Sequence, residues 1–273
     1  MNRREIADRI VKKLEQERNT LTSMYARSKA QIGYFYVDDL LPADLAKRIF
    51  ESFPRARNMR LRKSLREYKY IAAQMDHYEP ILEEAVYAFQ DLRLVDLISN
   101  ICGIKTLYPD EHLYAGGISL MGDKHFLNPH LDNSHDKDRE KWRVLNLLYY
   151  VTPEWPINQG GNLELWPSGL DGKQIVIHSK FNRLAVMATH DASWHSVSPI
   201  SCSQGERCCV SNYYFSDSPL KQAEEFHVTS FRGRPEQKVR DLVLQADIWL
   251  RMVIRKIFKK GAVETKHIYK RPN

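Results

Sequence analysis

The residues best suited to metal chemistry stand in Pro129-His130-Leu131-Asp132. Side chains alternate between the two faces of a β-strand, so His130 and Asp132 would point one way and Leu131 into the opposite layer. An imidazole and a carboxylate would then meet at one point. A second histidine from another strand would place two nitrogens and one oxygen on one face of a metal ion. This arrangement leaves three positions open on non-haem Fe(II).

Spacing alone identifies neither the metal nor the pair of residues that would bind it. A zinc site with three protein ligands uses the same kinds of side chain. His77-Tyr78-Glu79 has the same spacing. Because Pro80 follows and fits the first turn of a predicted helix, we expect this second pair to serve packing or the surface.

Short β-rich segments separated by turns fill the region that would position the pair. Their number and density predict an α+β fold with a mainly β core, a double-stranded β-helix or jelly roll over residues 110–218. The eight segments lie near residues 112–121, 126–132, 143–151, 162–166, 174–178, 183–188, 194–198 and 206–215.

Helices are predicted to flank this core on both sides. Residues 1–109 would form a helical N-terminal support region, in which the basic stretch from Arg55 to Lys69 is expected to be a loop. Residues 219–273 would form a basic amphipathic C-terminal extension. Its apolar stripe consists of Val239, Leu242, Val243, Ala246, Trp249, Leu250, Val253, Ile254, Ile257 and Phe258.

The composition is that of a globular protein. The chain has 273 residues, of which 43% are hydrophobic and 27% charged. Apolar runs stay well short of the roughly 20 residues that cross a bilayer, and charges interrupt the first 17 residues, so no secretory signal is predicted. The four cysteines have no zinc-site spacing and are expected to be reduced. We therefore expect a cytoplasmic protein.

Further motifs follow the His130–Asp132 pair in a definite order. This series resembles the prolyl 4-hydroxylase-like branch of the 2-oxoglutarate and Fe(II) dependent dioxygenases, over about residues 110–216. The motifs are Arg143–Tyr150, Pro153-Glu154-Trp155, Gly160–Leu165, Phe181-Asn182-Arg183-Leu184, Trp194–Pro199 and Gly205-Glu206-Arg207.

The resemblance implies that His130, Asp132 and His195 are the iron ligands. His190 is the rival for the third place, although Thr189-His190-Asp191 is predicted to be the loop before the strand. His195 could instead be a buried histidine bonded to a backbone carbonyl. Two flanking histidines, His125 and His135, are expected in loops or on the substrate side.

The resemblance also implies a pocket for 2-oxoglutarate. Arg207 would bind the distal carboxylate, since a guanidinium offers two parallel donors and keeps its charge. It follows His195 by twelve residues across a turn, so we expect it on the antiparallel neighbour of the His195 strand. A surface arginine at a strand edge is the alternative. Tyr150 would donate a hydrogen bond to the same carboxylate. Leu163 would form a wall of the pocket and Asn146 its floor. Tyr150 and Leu163 could instead be ordinary core residues.

The implied activity is hydroxylation of an unactivated C–H bond. Fe(II), 2-oxoglutarate and O₂ would take part, with ascorbate as an optional reductant and succinate and CO₂ as by-products. A prolyl side chain or another peptidyl or amino-acid group is the expected substrate. Leu120, Met121 and Leu127 stand where close relatives have tyrosines, which leaves the substrate open.

The C-terminal extension leaves several partners open. Residues 232–273 carry twelve Lys/Arg against four Asp/Glu, a net +8 within a chain of net +7. The apolar stripe could pack on the jelly roll, or residues 239–260 could lie on an anionic membrane, with a sugar or lipid-linked envelope precursor as substrate. A metal-free cupin-like module and a nucleic-acid-binding module are the non-enzymatic alternatives. The tail has no zinc-finger or RNP pattern, so no specific nucleic acid is expected.

Overall fold

The computed structural model describes residues 1–221, 226–257 and 269. Within these residues, thirteen antiparallel strands form one curled sheet. The strands are β1 (Tyr34–Val37), β2 (Arg60–Lys63), β3 (Glu67–Ala72), β4 (Tyr108–Pro109), β5 (Gly117–Met121), β6 (Phe126–Leu131), β7 (Trp142–Tyr150), β8 (Leu163–Leu165), β9 (Ile175–Ile177), β10 (Arg183–Ala188), β11 (His195–Val197), β12 (Arg207–Ser216) and β13 (Ser230–Phe231).

The sheet folds into two layers. One runs β1-β10-β7-β12-β5 and the other β6-β11-β8-β9, and β3 joins them because it pairs with both β5 and β6. At the margins, β2 pairs with β3, β4 with β12 and β13 with β6. The predicted jelly roll is confirmed, and each of the eight predicted segments overlaps one of the strands β5–β12.

Four helices from the N-terminal part of the chain support the layer β1-β10-β7-β12-β5. They are α1 (Arg3–Ser28), α2 (Ala43–Glu51), α3 (Pro80–Ala88) and α4 (Leu92–Cys102). Asn2 and Glu5 form a capping box at the start of α1, which satisfies backbone N–H groups that a helix leaves unpaired there. Helix α1 contacts α3, α4 and β1. Ile6, Ile10 and Leu14 on its inner face are fully buried.

The basic stretch from Arg55 to Lys69 is not the loop that the sequence suggested. It forms β2 and continues into β3, with Arg62 directly opposite Lys69. Polar residues alternate with apolar or aromatic ones in Glu67-Tyr68-Lys69-Tyr70, but burial does not follow this alternation, because most of β2 is exposed and β3 is half-buried on both faces. Backbone pairing with β5 and β6, together with Tyr70 packed against the core, holds the hairpin in the sheet. The proposed division of the chain at residues 109/110 and 218/219 stays a prediction, with β1–β4 lying before the first boundary.

The C-terminal helix α5 (Lys238–Ile257) turns its apolar stripe outward. The expectation that the stripe packs on the jelly roll is wrong for its described members. Helix α5 instead docks through carboxylates, since Asp241 pairs with Arg232 and Asp247 with Arg66. Phe258 and the side chains of Val253, Ile254 and Ile257 lie outside the described residues. The exposed members are Val239, Leu242, Val243, Ala246, Trp249 and Leu250.

No helix in the described part of the chain combines the length and the apolar character that crossing a bilayer requires.

Candidate active site

Three predicted ligands converge inside the jelly roll. His130 lies near the end of β6, Asp132 follows that strand directly, and His195 opens β11 opposite His130 in the antiparallel register. The Nε2 atom of His130 is 3.7 Å from Oδ1 of Asp132, and that of His195 is 3.5 Å from Oδ2. All three ligand atoms lie within 4.8 Å of one another, and no other such cluster occurs among the described residues.

Backbone carbonyls fix the orientation of both imidazoles. The Nδ1 atom of His130 lies 3.0 Å from the carbonyl oxygen of Asn128, and that of His195 lies 2.9 Å from the carbonyl oxygen of Ser193. A proton donated from Nδ1 to each carbonyl selects the tautomer with a free lone pair on Nε2. Such second contacts commonly orient metal-binding histidines. Both Nε2 atoms are therefore available to one ion.

The electrostatics favour the protonation states that bind a metal. Burial lowers the pKa of His130 to about 3, and nearby His195 lowers it further, so the ring is neutral at pH 7. Burial would raise the pKa of the Asp132 carboxyl, but Arg143, His195 and His130 together hold it well below its usual range. The cluster thus presents a neutral imidazole and a carboxylate without the loss of a proton.

The donor set fits Fe(II). Adjacent ligand atoms about 2.1 Å from a shared octahedral ion lie about 3.0 Å apart. The observed separations of 3.5 and 3.7 Å come within a small side-chain rotation of that value. Two imidazoles and one carboxylate on one side of the ion would leave the opposite positions open.

Two residues of β7 hold the Asp132 carboxylate. The Nδ2 atom of Asn146 donates to Oδ2 at 2.7 Å, and Nη1 of Arg143 lies 3.4 Å from Oδ1. Asn146, predicted as the floor of the co-substrate pocket, thus contacts the predicted metal ligand itself. Sequence reasoning gave Arg143 no role. Its position three residues before Asn146, at the start of a strand otherwise rich in apolar residues, was the available signal.

Arg207 is a buried cation with no carboxylate partner among the described residues. It is 3% exposed, and its Nε atom has no hydrogen-bond partner. Its Nη2 atom points at the Met121 sulfur at 3.0 Å, and its guanidinium carbon lies 5.2 Å from the centroid of the Tyr150 ring. A buried charge is costly unless an opposite charge meets it. The structure therefore leaves room here for an anion.

The strand neighbours of Arg207 differ from the expectation. Strand β12 pairs with β4, β5 and β7, whereas the His195 strand, β11, pairs with β6 and β8. The jelly-roll connection carries the chain across to the other layer after β11. Arg207 and His195 therefore approach the same cavity from opposite layers.

Gly161 makes space for the Arg207 side chain. A Cβ atom on Gly161 would lie 3.0 Å from Cδ of Arg207 and 3.1 Å from Cδ1 of Ile200. Its φ of +71° is also one that glycine adopts without strain. In the sequence the paired glycines stand out only as part of the Gly160–Leu165 motif, and the structure adds this close approach.

A cavity of about 650 Å³ connects these groups. Its walls include the predicted residues His130, Asp132, His195, Arg207, Tyr150, Leu163 and Asn146. Leu163 and Tyr150 belong to a buried apolar cluster beside it. A larger cavity of about 1030 Å³ lies between α1, α4 and the loop after β4, and contains none of the predicted site residues.

The other three histidines considered as ligands or substrate-side residues lie outside the cluster. His190 is buried in the loop before β11, where its Nδ1 atom accepts a hydrogen bond from the backbone N–H of Ala192. The ring of His125 lies against that of Tyr68, tilted by 34° with 3.8 Å between the ring centroids. The Nδ1 atom of His135 lies 2.7 Å from the carbonyl oxygen of Asp136.

Comparison with known families agrees with this geometry. Residues 116–215 match the model of the 2OG-Fe(II) oxygenase superfamily. Residues 116–215 form a domain of this superfamily. The protein is a 2-oxoglutarate-dependent dioxygenase that uses Fe(II), 2-oxoglutarate and O₂. No curated protein matches the sequence.

Solved structures share the fold of this oxygenase at low sequence identity. A prolyl-4-hydroxylase from Pseudomonas putida is 18% identical with a TM-score of 0.53, and the match covers 72% of this chain and 100% of that one. A prolyl 4-hydroxylase from Phytophthora capsici is 16% identical with a TM-score of 0.53, covering 95% and 81%. The α-ketoglutarate-dependent epimerase SnoN from nogalamycin biosynthesis is 13% identical with a TM-score of 0.51, covering 75% and 88%.

Proposed function

We propose that this oxygenase hydroxylates an unactivated C–H bond of a prolyl or other peptidyl or amino-acid substrate, with decarboxylation of 2-oxoglutarate to succinate. The observation that carries the proposal is the orientation of His130 and His195, whose Nε2 atoms face the Asp132 carboxylate. In this proposal these three side chains hold Fe(II). The similarity in fold to prolyl 4-hydroxylases supports a prolyl group as the first substrate to test.

Bound Fe(II) would supply the oxidising chemistry, with O₂ as the oxidant and 2-oxoglutarate as the source of two electrons, and the protein supplies the positions of the reactants. Arg207 binds the distal carboxylate of 2-oxoglutarate, which gives its unpaired Nε atom a partner. The Tyr150 hydroxyl assists at the same carboxylate, and Leu163 forms an apolar wall. Asn146 and Arg143 keep the Asp132 carboxylate turned toward the metal.

An anoxic titration tests the metal and the co-substrate together. Adding Fe(II) and then 2-oxoglutarate to the protein should produce the weak visible absorption of a keto acid bound to ferrous iron. Asp132→Ala should abolish it, and the matched variant Asp191→Ala, in the loop before β11, should retain it. Well-folded protein without this absorption would contradict the proposal.

Release of succinate identifies the substrate class. Proline-containing peptides, free amino acids, sugars and sugar nucleotides should be compared in the presence of O₂. A prolyl peptide that raises succinate release and gains one oxygen atom by mass spectrometry would support the first substrate proposed.

A second candidate is hydroxylation of a sugar or lipid-linked precursor at a membrane surface. Its support is the outward apolar face of α5, where Leu242 and Trp249 are 70% and 69% exposed. The net charge of +8 over residues 232–273 complements an anionic membrane. In this candidate the oxygenase is cytoplasmic and binds the membrane peripherally through residues 239–260.

Flotation with vesicles tests the membrane candidate. Phosphatidylglycerol vesicles should carry the protein upward, and phosphatidylcholine vesicles should carry less. The double variant Leu242→Ser/Trp249→Ser should lose flotation, whereas Leu92→Ser, an equally exposed leucine on α4, should not. Equal flotation of both variants would exclude this face as the contact.

A further inference from the structure

The cavity that holds the predicted ligands has a strongly basic lining. Eight arginine or lysine side chains line it, against two carboxylates, those of Glu67 and Asp132. Five of the eight lie within residues 60–69, which contain one acidic residue. The chain outside residues 232–273 has a net charge of about −1, so this concentration of charge is local. The eight are Arg60, Arg62, Lys63, Arg66, Lys69, Arg143, Arg207 and Arg251.

Two of these cations face each other across the β2–β3 hairpin. Arg62 is directly opposite Lys69 in the antiparallel register, and like charges in this position destabilise a sheet. Glu67 compensates in part, since its carboxylate lies 3.1 Å from Nζ of Lys69. Burial would raise the pKa of Glu67, but Lys69 and Arg62 together lower it, so the carboxylate stays charged. One negative charge is shared here by two positive ones.

A similar imbalance exists where α5 meets the hairpin. Arg66 and Arg251 both pair with Asp247. The Nη2 atom of Arg251 is buried without a hydrogen-bond partner. Deeper in the cavity, Nε of Arg143, a residue that is 3% exposed, also lacks a partner. Unused donors thus occur both at the opening and within the cavity.

Binding of iron and 2-oxoglutarate does not remove this excess charge. The two positive charges of Fe(II) and the two negative charges of 2-oxoglutarate cancel. Eight cations then stand against three carboxylates, those of Glu67, Asp132 and Asp247, which leaves five positive charges unbalanced. A neutral prolyl or sugar substrate would leave all five in place.

We propose that the primary substrate of this oxygenase carries a phosphate or diphosphate group, which binds at the mouth formed by Arg62, Lys69 and Arg251. The inference rests on the proposed function for the oxidation step, and it names the substrate class. The cavity volume of about 650 Å³ suits a small molecule or a single head group.

Charge and geometry favour phosphate over carboxylate. A phosphate monoester has a charge of about −1.5 to −2 at pH 7 and three strong acceptor oxygens, whereas a carboxylate has one charge and two oxygens. Guanidinium groups bind phosphate with paired parallel hydrogen bonds. Three cations from three elements, β2, β3 and α5, match a tetrahedral group better than a planar one.

Calorimetric titration with a simple probe tests the binding. Phenyl phosphate and benzoate are titrated into protein loaded with Fe(II) and 2-oxoglutarate under anoxia, where no turnover occurs. Phenyl phosphate should bind at least tenfold more tightly than benzoate, and its affinity should fall as salt rises. Equal affinity for the two probes would overturn the proposal.

Substitutions in opposite directions locate the site. Arg62→Gln/Lys69→Gln should weaken phenyl phosphate binding by at least tenfold, and Glu67→Gln should tighten it several-fold because it removes a competing negative charge. Arg57→Gln, an exposed arginine just before the hairpin that does not line the cavity, is the matched control. Unchanged affinity in both the double variant and Glu67→Gln would refute the assignment, even if activity were lost.

Further measurements distinguish this inference from the proposed function and identify the source of the phosphate. The same titration on metal-free protein detects phosphate binding even if the protein binds no iron, so the two proposals can fail independently. Competition by phosphatidylglycerol vesicles would assign the phosphate to a lipid head group, and competition by glucose 1-phosphate alone to a soluble ester. Tighter binding of an oligo-glutamate peptide than of any phosphate ester would contradict the inference.

Discussion

Replacing Arg207 with methionine should stabilise the protein and impair its function. In the ligand-free state the Arg207 guanidinium is buried, and its Nε atom has no partner. Replacing buried ionic groups with apolar ones of similar volume often adds about 1–4 kcal/mol to the free energy of unfolding. Arg207→Met should therefore raise this free energy by about 1–2 kcal/mol, measured by urea unfolding without 2-oxoglutarate.

Binding of 2-oxoglutarate should change in the opposite direction. Loss of one partner from a buried charge pair costs about 2–5 kcal/mol of binding free energy, so the dissociation constant should rise at least about 30-fold. Millimolar 2-oxoglutarate stabilises a native state that binds it. The wild-type melting temperature should thus rise on addition, and that of Arg207→Met should not.

Arg183 provides the matched comparison. It is also a largely buried arginine, but its Nε and Nη2 atoms pair with Asp38 at 2.6 and 3.0 Å. Arg183→Met should lower the free energy of unfolding by about 1–3 kcal/mol and leave binding of 2-oxoglutarate intact. If Arg207→Met destabilised the ligand-free protein as Arg183→Met does, Arg207 would be a structural cation and the reasoning would be refuted.

Three further predictions concern neighbouring groups. Asn146→Leu removes the hydrogen bond to Asp132 and should weaken Fe(II) binding by about 10–100-fold in an anoxic titration; unchanged affinity would show that the bond does not orient the ligand. Gly161→Ala should raise the KM for 2-oxoglutarate through its contact with Arg207, with Fe(II) affinity unchanged; a loss of iron instead would point to general distortion. Burial lowers the pKa of His190 to about 4, so the unfolded state binds the extra proton between about pH 6.5 and 4, and stability falls as the pH falls through this window. His190→Gln should reduce that loss by up to about 1.4 kcal/mol per pH unit while iron binding persists, and an unchanged pH profile would show that His190 is not buried in its neutral form.

The strands β5–β12 were predictable because their signals are local. Alternating side chains place His130 and Asp132 toward one cavity, and the paired glycines Gly160-Gly161 directly precede the segment that forms β8. The cross-strand position of His195 needed the resemblance to a family, since pairing between distant segments leaves little trace in a single sequence. The same holds for Arg207, whose strand neighbours were predicted incorrectly.

The basic hairpin and helix α5 were misread for one physical reason. Backbone pairing in the hairpin and ion pairs in α5 hold these elements together with only a few inward apolar side chains, such as Tyr70 and Leu244. Strand β2 is mostly exposed, and the short alternation in β3 stands within a run rich in charged residues, so the stretch was interpreted as a loop. In α5, Asp241 and Asp247 face the protein and Leu242 and Trp249 face outward, the reverse of the usual amphipathic arrangement.

The bridging position of β3 determines how much of the chain must fold together. The segment that defines the superfamily begins at residue 116, yet β3, at Glu67–Ala72, completes the pairing of both β5 and β6. A fragment of residues 116–215 alone would lack this neighbour of β5 and β6. The unpaired backbone N–H and C=O groups of these strands would then be free to pair with other chains. The part of the chain that must fold together is therefore larger than the segment that matches the superfamily. We expect residues 116–215 to aggregate when they are expressed without residues 60–72.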